Sequence, residues 1–208
     1  MIHKSLVFFL GLVLGTLSLS ISASLEDYFP YDVHPTSSSY GLTGIIETPN
    51  ARFMEQGSLR FSFSSSYPYE YTTLSASPFD WMEANYRYSE VKNKKYGPAS
   101  YSGNQTLKDK GFDVKFRIFK ESLYVPEIAI GMQDVAGTGR FASEYIVGTK
   151  SYDNFDLTGG LGWGLLGSDG NIQNPFEGIN ASFSSRESDG SLGGDFNIGS
   201  WFSGKTAI

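Results

Sequence analysis

The chain has 208 residues, of which 15% are aromatic, 24 are glycine and only 18% are charged, against about 25% charged in an ordinary soluble domain. A hydrophobic content of 40% excludes an intrinsically disordered chain, and no dominance of Ala, Leu, Glu and Lys points to a coiled coil or helical solenoid. The net charge of −6 argues against a protein that tracks nucleic-acid phosphates, and the absence of cysteine excludes disulfides, thiolate zinc sites, cysteine nucleophiles and a lipidated N-terminal cysteine.

Residues 1–23 differ from the rest: His3 and Lys4 precede an apolar run from Leu6 to Leu14, then small and polar residues lead to Ala23. These are the three regions of a secretory signal peptide, with cleavage at Ala23 or Ser24. The apolar run is shorter than the roughly 20 residues of a spanning helix, and no later segment approaches that length. Residues 24–57 read as an irregular, plug-like leader holding Pro30, Pro35 and Pro49 and the run Ser37 to Ser39. Within it lies a compact motif from Gly41 to Arg52, in which Gly41, Gly44 and the Thr48-Pro49 pair indicate a fixed irregular shape.

From residue 58 the pattern changes to alternation. Leu59, Phe61 and Phe63 alternate with Arg60, Ser62 and Ser64, and Met82, Ala84, Tyr86 and Tyr88 with Glu83, Asn85, Arg87 and Ser89. Phe112, Val114, Phe116 and Ile118 alternate with Asp113, Lys115 and Arg117, and Ile128, Ile130 and Met132 with Ala129, Gly131 and Gln133. Each run predicts a strand with one oily and one polar face. Further strands fit 141–150, 155–164, 177–186 and 194–203, about eight in all. Asp169-Gly170 and Asp189-Gly190 are hairpin turns, and nothing between strands has the period of a crossover helix. The expected fold is all-β, an antiparallel meander over 58–208.

A soluble β-sandwich and an outer-membrane barrel both accommodate these strands. Strand lengths near 10 residues, aromatics at strand ends (Tyr67, Trp81, Tyr124, Trp163) and the signal peptide favour the barrel. Phe112, Val114, Phe116 and Ile118 then face lipid, while Glu83, Asn85, Arg87, Asp113, Lys115 and Arg117 face a polar lumen. Asp134, Glu144 and Asp156 are further lumen candidates, and Arg52 is expected to pair with a lumen carboxylate and dock the leader at the barrel mouth. The long connection from Val91 to Lys110 fits poorly with short periplasmic turns, so either a strand is missed there or the first is misplaced.

Catalysis is poorly supplied. His34 is the one histidine beyond the signal peptide, without a serine or carboxylate at diagnostic spacing. Gly162 to Gly167 spells G-x-G-x-x-G and Gly137 to Ala142 its variant, but neither opens a helix that would hold a pyrophosphate. No metal-ligand spacing occurs, and no cofactor is expected.

The blocks Gly41 to Arg52, Lys108 to Lys115, Pro126 to Gly131, Asp134 to Gly139, Ser143 to Tyr145, Phe155 to Gly164 and Asn174-Pro175 together resemble, in order, the YjbH-like family of exopolysaccharide biosynthesis proteins. That resemblance implies an outer-membrane β-barrel engaged in polysaccharide export or surface assembly, with polysaccharide, outer-membrane lipid and other exopolysaccharide-secretion proteins as partners. It implies no catalytic activity. The polar lumen residues would offer hydrogen bonds to sugar hydroxyls and the Tyr and Trp rings stacking faces. A structural barrel with a plugged lumen and a polysaccharide-modifying enzyme are the alternatives. Family members are longer, so the 208 residues are expected to be part of a larger barrel.

Overall fold

The computed structural model describes residues 35–153, 155–186, 196 and 198–208, so the signal-peptide segment, His34 and the Asp189-Gly190 turn lie outside the described residues. A small hairpin, β1 (Gly44–Ile45) and β2 (Thr48–Pro49), stands in the leader. The main sheet contains β3 (Leu59–Ser66), β4 (Tyr69–Phe79), β5 (Met82–Lys95), β6 (Thr106–Phe119), β7 (Glu127–Gln133), β8 (Ser143–Tyr152), β9 (Phe155–Gly164) and β10 (Thr206–Ala207). Each strand pairs antiparallel with its neighbour in sequence, giving an eight-stranded meander. Among the described residues β3 and β10 do not pair, so the sheet is open rather than closed into a barrel.

The expected all-β meander is present, with four changes of detail. β4 is not among the expected strands, because Thr73, Ser75 and Ser77 carry no apolar alternation and Pro78 cannot donate to a ladder. The hydroxyls form one face of the strand, and Pro78 falls within the register shift between Ala76 and Phe79, where a missing N–H is tolerated. The long connection after Val91 shortens to residues 96–105, because β5 and β6 continue through Lys and Asn positions, and it carries a single helical turn, α1 (Ala99–Ser102). Residues 175–178 and 181–184 are 3-10 turns, capped by Asn174 and Asn180, rather than part of a strand at 177–186. Of the strand expected at 194–203, only part is described, and Ile198–Ser200 is again a 3-10 turn.

The alternation sorts the sheet into two faces, and the usual distribution is inverted. The charged face is covered: the leader from Pro35 to Met54 lies on it, and Glu83 and Lys115 are each 0% exposed. The oily face is bare, with Phe61 71% and Leu157 62% exposed and Leu59, Phe63, Phe112 and Phe155 similarly open. Two apolar clusters anchor the leader to the covered face. Tyr40 packs with Tyr71, Val91, Leu107 and Phe141, while Ala51 and Phe53 pack with Ala129, Tyr145 and Val147.

On the other face of β9, Trp163 is fully buried by the C-terminal turns. It stacks on Phe176 at 5.4 Å and meets Phe202 edge-on at 5.2 Å. Asn174 ties these turns together, donating from Nδ2 to the carbonyls of Phe183 and Phe202 at 2.9 Å each.

Gly131 is the most tightly hemmed glycine within the strands, since a Cβ there would fall 2.1 Å from Cζ of Tyr145. Gly131→Ala in the full-length protein should therefore lower the thermal midpoint, an overpacking cost of about 1–3 kcal/mol. Gly159→Ala, with nothing within 4 Å of the new methyl, should not lower it. Equal midpoints for the two variants would contradict this packing.

Candidate functional site

The site is the contact between the leader and the charged face. Successive covered-face positions of β5 present Glu83, Asn85 and Arg87, and β6 presents Asp113, Lys115 and Arg117 directly opposite, because Glu83 pairs in register with Lys115 and Asn85 with Asp113. Lys115 Nζ lies 3.0 Å from Glu83 Oε2 and also donates to the carbonyls of Thr43 at 3.1 Å and Arg52 at 2.5 Å. Glu83 accepts from Thr43 N at 3.0 Å, Thr43 Oγ1 at 2.6 Å and Met54 N at 2.6 Å. One strand-to-strand ion pair thus grips the leader at both ends of its motif.

A second pair lies one step along the strands. Arg87 Nε and Nη2 each donate to Asp113 at 3.0 Å, a bidentate fork, and its guanidinium lies 5.2 Å from the centre of the Phe141 ring. Asn85 Nδ2 bridges to the leader by donating to the Tyr40 carbonyl at 2.5 Å as well as to Asp113 at 3.0 Å. Gly41 is required here: its φ is +102°, and a Cβ would sit 2.6 Å from Thr73 Oγ1 and 2.8 Å from Asn85 Nδ2. Gly44 is likewise hemmed in by the Thr48 carbonyl at 2.6 Å, in register with Pro49 across the β1–β2 hairpin.

Arg52 draws three carboxylates together. It donates to Asp156 through Nε at 2.7 Å and Nη2 at 2.8 Å, to Glu121 at 2.6 Å, to Glu127 at 2.9 Å and to Ser151 Oγ at 2.6 Å. The hydrogen bonds that Arg52 donates to Asp156 lead in raising the Arg52 pKa above its ordinary value. Burial pushes the Glu121 carboxyl up, but hydrogen bonds from Lys150, the Ser151 backbone and Arg52 prevail and hold it at about 2. Arg117 completes this end, paired with Glu127 and lying 4.4 Å from the centre of the Phe53 ring.

Asp134 and Asp156 belong to opposite ends of the covered face. Asp134 follows β7, has φ +57° and accepts from the Phe141 N–H at 3.1 Å, while its other oxygen is buried without a partner. Glu144 does not share this face. Its register partners are Met132 and Trp163, and on that side it accepts from Arg186 at 2.6 and 3.0 Å and from Phe202 N at 3.0 Å.

The expectation of an open hydrogen-bonding track along Glu83, Asn85, Arg87, Asp113 and Lys115 needs correction. Their polar atoms are spent on one another and on the leader main chain, so the arrangement is a clamp. Sequence reasoning also missed Thr43, Glu121 and Glu127 as members of it. Thr43 and Glu127 lie within the family-like segments 41–52 and 126–131, but nothing local distinguishes a threonine or glutamate that meets a partner 40 or 75 residues away. Gly162 to Gly167 runs from β9 into a turn and Gly137 to Ala142 forms a loop, so neither opens a helix. Among the described residues, no group of three or more His, Asp or Glu is placed to hold a metal.

Two outcomes follow from the clamp. Removing one partner of a buried pair leaves a bare charge, at a cost of about 3–5 kcal/mol. Glu83→Ala and Lys115→Ala should each free the leader, read as faster tryptic cleavage after Arg52 in the full-length protein. The double variant Glu83→Leu/Lys115→Met should restore much of the protection, and wild-type cleavage rates in both single variants would show that the pair does not hold the leader.

The second outcome concerns pH. Burial pushes the Asp134 carboxyl up to about 6 from 3.8, with Asp109 and Asp113 acting in the same direction and Arg87 and the Phe141 N–H against it. The folded chain thus holds a proton that the unfolded chain releases between these values, and the contribution of this group to stability grows as pH falls through 6 and is complete below about 4. Glu121 acts oppositely and lower, its contribution being lost only as pH falls from about 4.5 toward 2. Thermal midpoints of full-length protein measured from pH 7 to 4 should show a component that Asp134→Asn removes, and identical profiles for the two proteins would contradict it.

The family described as "Exopolysaccharide biosynthesis protein YbjH" matches residues 36–208. A relative in Escherichia coli (strain K12), named "Uncharacterized lipoprotein YjbH", is 35% identical over 198 residues, covering 94% of this chain and 28% of that protein. The chain therefore spans little more than a quarter of the length of this relative. No solved structure matches it. The family match begins where the leader meets the sheet and runs through the clamp and every strand of the meander, and the chain belongs to the YjbH family of exopolysaccharide biosynthesis proteins.

Proposed function

We propose that this chain forms part of the wall and plug of an outer-membrane β-barrel that takes part in export or surface assembly of an exopolysaccharide. The inversion of the two sheet faces carries this reading. In water, a sheet that buries Glu83, Arg87, Asp113 and Lys115 while baring Phe61, Phe63, Leu157 and Phe155 has its solvents reversed. Against lipid the same pattern is ordinary, because barrel strands alternate apolar-out and polar-in.

Strand length and aromatic placement agree with it. β4, β8 and β9 have 11, 10 and 10 residues, close to the roughly 9–11 of a tilted spanning strand. At the end carrying the tight 80–81 connection, Phe79 and Trp81 stack at 5.1 Å, Trp81 continues to Phe116, and the exposed Tyr152 and Phe155 stand at the same end of the sheet. Trp81 and Tyr152 in this row suit a membrane interface, where amphipathic rings bury an apolar body and keep a polar edge wet. No helix among the described residues is long and apolar enough to cross a membrane.

In this reading residues 1–23 are a cleaved export signal, residues 24–57 the plug segment, and the protein handles polymer by binding and passage without making or breaking bonds. The clamp also favours a second reading, a scaffolding barrel whose plug never leaves. Conductance of the reconstituted full-length protein with and without polymer separates the two.

The membrane assignment is tested by spin labels at Phe61→Cys and Leu157→Cys in the reconstituted full-length protein, with Ser100→Cys in the 96–105 connection as a reference. Oxygen should relax the labels at 61 and 157 more than a water-soluble nickel chelate does, with the reverse at 100. Nickel dominance at 61 and 157, or recovery of the intact protein in the soluble periplasm, would sink the barrel.

A further inference from the structure

The leader does not fill the covered face. A cavity of about 680 Å³ opens where the longer connections 96–105 and 134–142 lie, between Tyr40 of the leader and the ends of β4, β5 and β7. A second, of about 320 Å³, lies beside β9, where Gly160 and Gly162 place no side chain on the covered face. Thr48 and Leu166 border both, so the two meet along the edge of the β1–β2 hairpin. Both volumes fall within the range of small-molecule sites, about 300–1,000 Å³.

The lining of the larger cavity has a particular chemistry. Tyr69 is 39% exposed and lies parallel to Tyr71, with centroids 6.2 Å apart and planes 3° from parallel, while Tyr40 meets Tyr71 edge-on at 5.1 Å. This is a braced ring with a free face. Gln133 is 7% exposed as a residue and lines the same cavity, and its amide, which is not among the buried unpartnered groups and makes no hydrogen bond to the described residues, opens onto that space. An amide that opens onto a cavity offers one donor group and one acceptor to whatever fills it, water or ligand. Arg140 and Lys94 stand at the rim without an ion pair among the described residues, with Glu47 of the hairpin near them. Together these are a stacking surface, a buried two-way hydrogen-bonding group and rim charges, which is what a sugar ring with its C–H face and surrounding hydroxyls requires.

We propose that the cavity beside the leader hairpin is an oligosaccharide-binding cleft, in which Tyr69 stacks on a sugar ring, Gln133 and Arg140 bond its hydroxyls, and the chain continues past Thr48 and Leu166 over the glycine floor of β9. This deepens the polymer-handling reading above and rests on it. The clamp holds the plug, and the saccharide passes beside it.

The test uses the full-length protein in lipid nanodiscs and fluorescently end-labelled oligosaccharides made by partial acid hydrolysis of the producing strain's exopolysaccharide, with fluorescence anisotropy as readout. Wild type and Tyr69→Phe should bind saturably. Tyr69→Ala and Gln133→Leu should each weaken binding about tenfold, the loss of one stacking or hydrogen-bonding contact, and Tyr101→Ala, on the exposed turn outside the cavity, should change nothing. Should Tyr69→Ala fail to assemble, judged by heat-modifiable gel mobility, the volume-conserving Gln133→Leu decides. Absence of saturable binding to the inserted wild type, or unchanged binding in Gln133→Leu, overturns the cleft while leaving the lipid-facing assignment standing. That assignment fails separately, through the spin labels at 61 and 157.

Discussion

Everything on the covered face depends on a carboxylate and an ammonium buried together. Removing two such ions from water costs several kcal/mol each, and their mutual attraction offsets this only when their remaining hydrogen-bonding positions are filled. Lys115 fills its three protons with Glu83 and two leader carbonyls, and Glu83 accepts two leader N–H groups and the Thr43 hydroxyl besides the lysine. The leader backbone is therefore the solvent of this ion pair. Its irregular course, with few strand partners of its own, leaves N–H and C=O groups that a regular element would have consumed.

The same accounting explains the shape of the motif from Gly41 to Arg52. Backbone atoms of Gly41, Thr43, Arg52 and Met54 reach polar groups of the strands: Ser75 Oγ donates to the Gly41 carbonyl at 2.9 Å, and the others meet Glu83 or Lys115. Such close approach leaves no room for a Cβ at 41, where the left-handed backbone also favours glycine. At the other end the guanidinium of Arg52 supplies what the backbone cannot, several donors in one plane that serve Glu121, Glu127 and Asp156 at once. Main chain satisfies the fully dry pairs, and a long cationic side chain satisfies the partly wet ones.

Strict alternation made the sheet legible. Runs such as Phe112 to Ile118 determine which side chains share a face, and the register of β5 against β6 then follows from the pattern. β4 was hidden because the covered face carries serine and threonine where a soluble sheet carries valine, so its polar positions mimic a turn. The reach of Arg52 was legible only as a need for some carboxylate, since Glu121, Glu127 and Asp156 lie 69 to 104 residues away. Glu144 shows the limit of composition. It resembles the covered-face acids in type, but one residue of parity in β8 puts it on the other face with Arg186.

Parity also fixes what the surroundings must do. In water the bare face contributes little to stability, because Phe61, Phe63, Leu157 and Phe155 stay largely hydrated, and the folded form must rest on two small clusters, the packing of Trp163 against the C-terminal turns and a set of ion pairs. Buried pairs of this kind select one arrangement more than they add net stability. An apolar medium against the bare face changes the balance, since the backbone groups of the inner strands are already paired in the ladder and each oily side chain gains its transfer free energy. Under the barrel reading the membrane then provides the driving force and the charged clamp provides the register. A plug held by rehydratable charges, rather than by a large apolar interface, is also one whose grip a wetter lumen weakens.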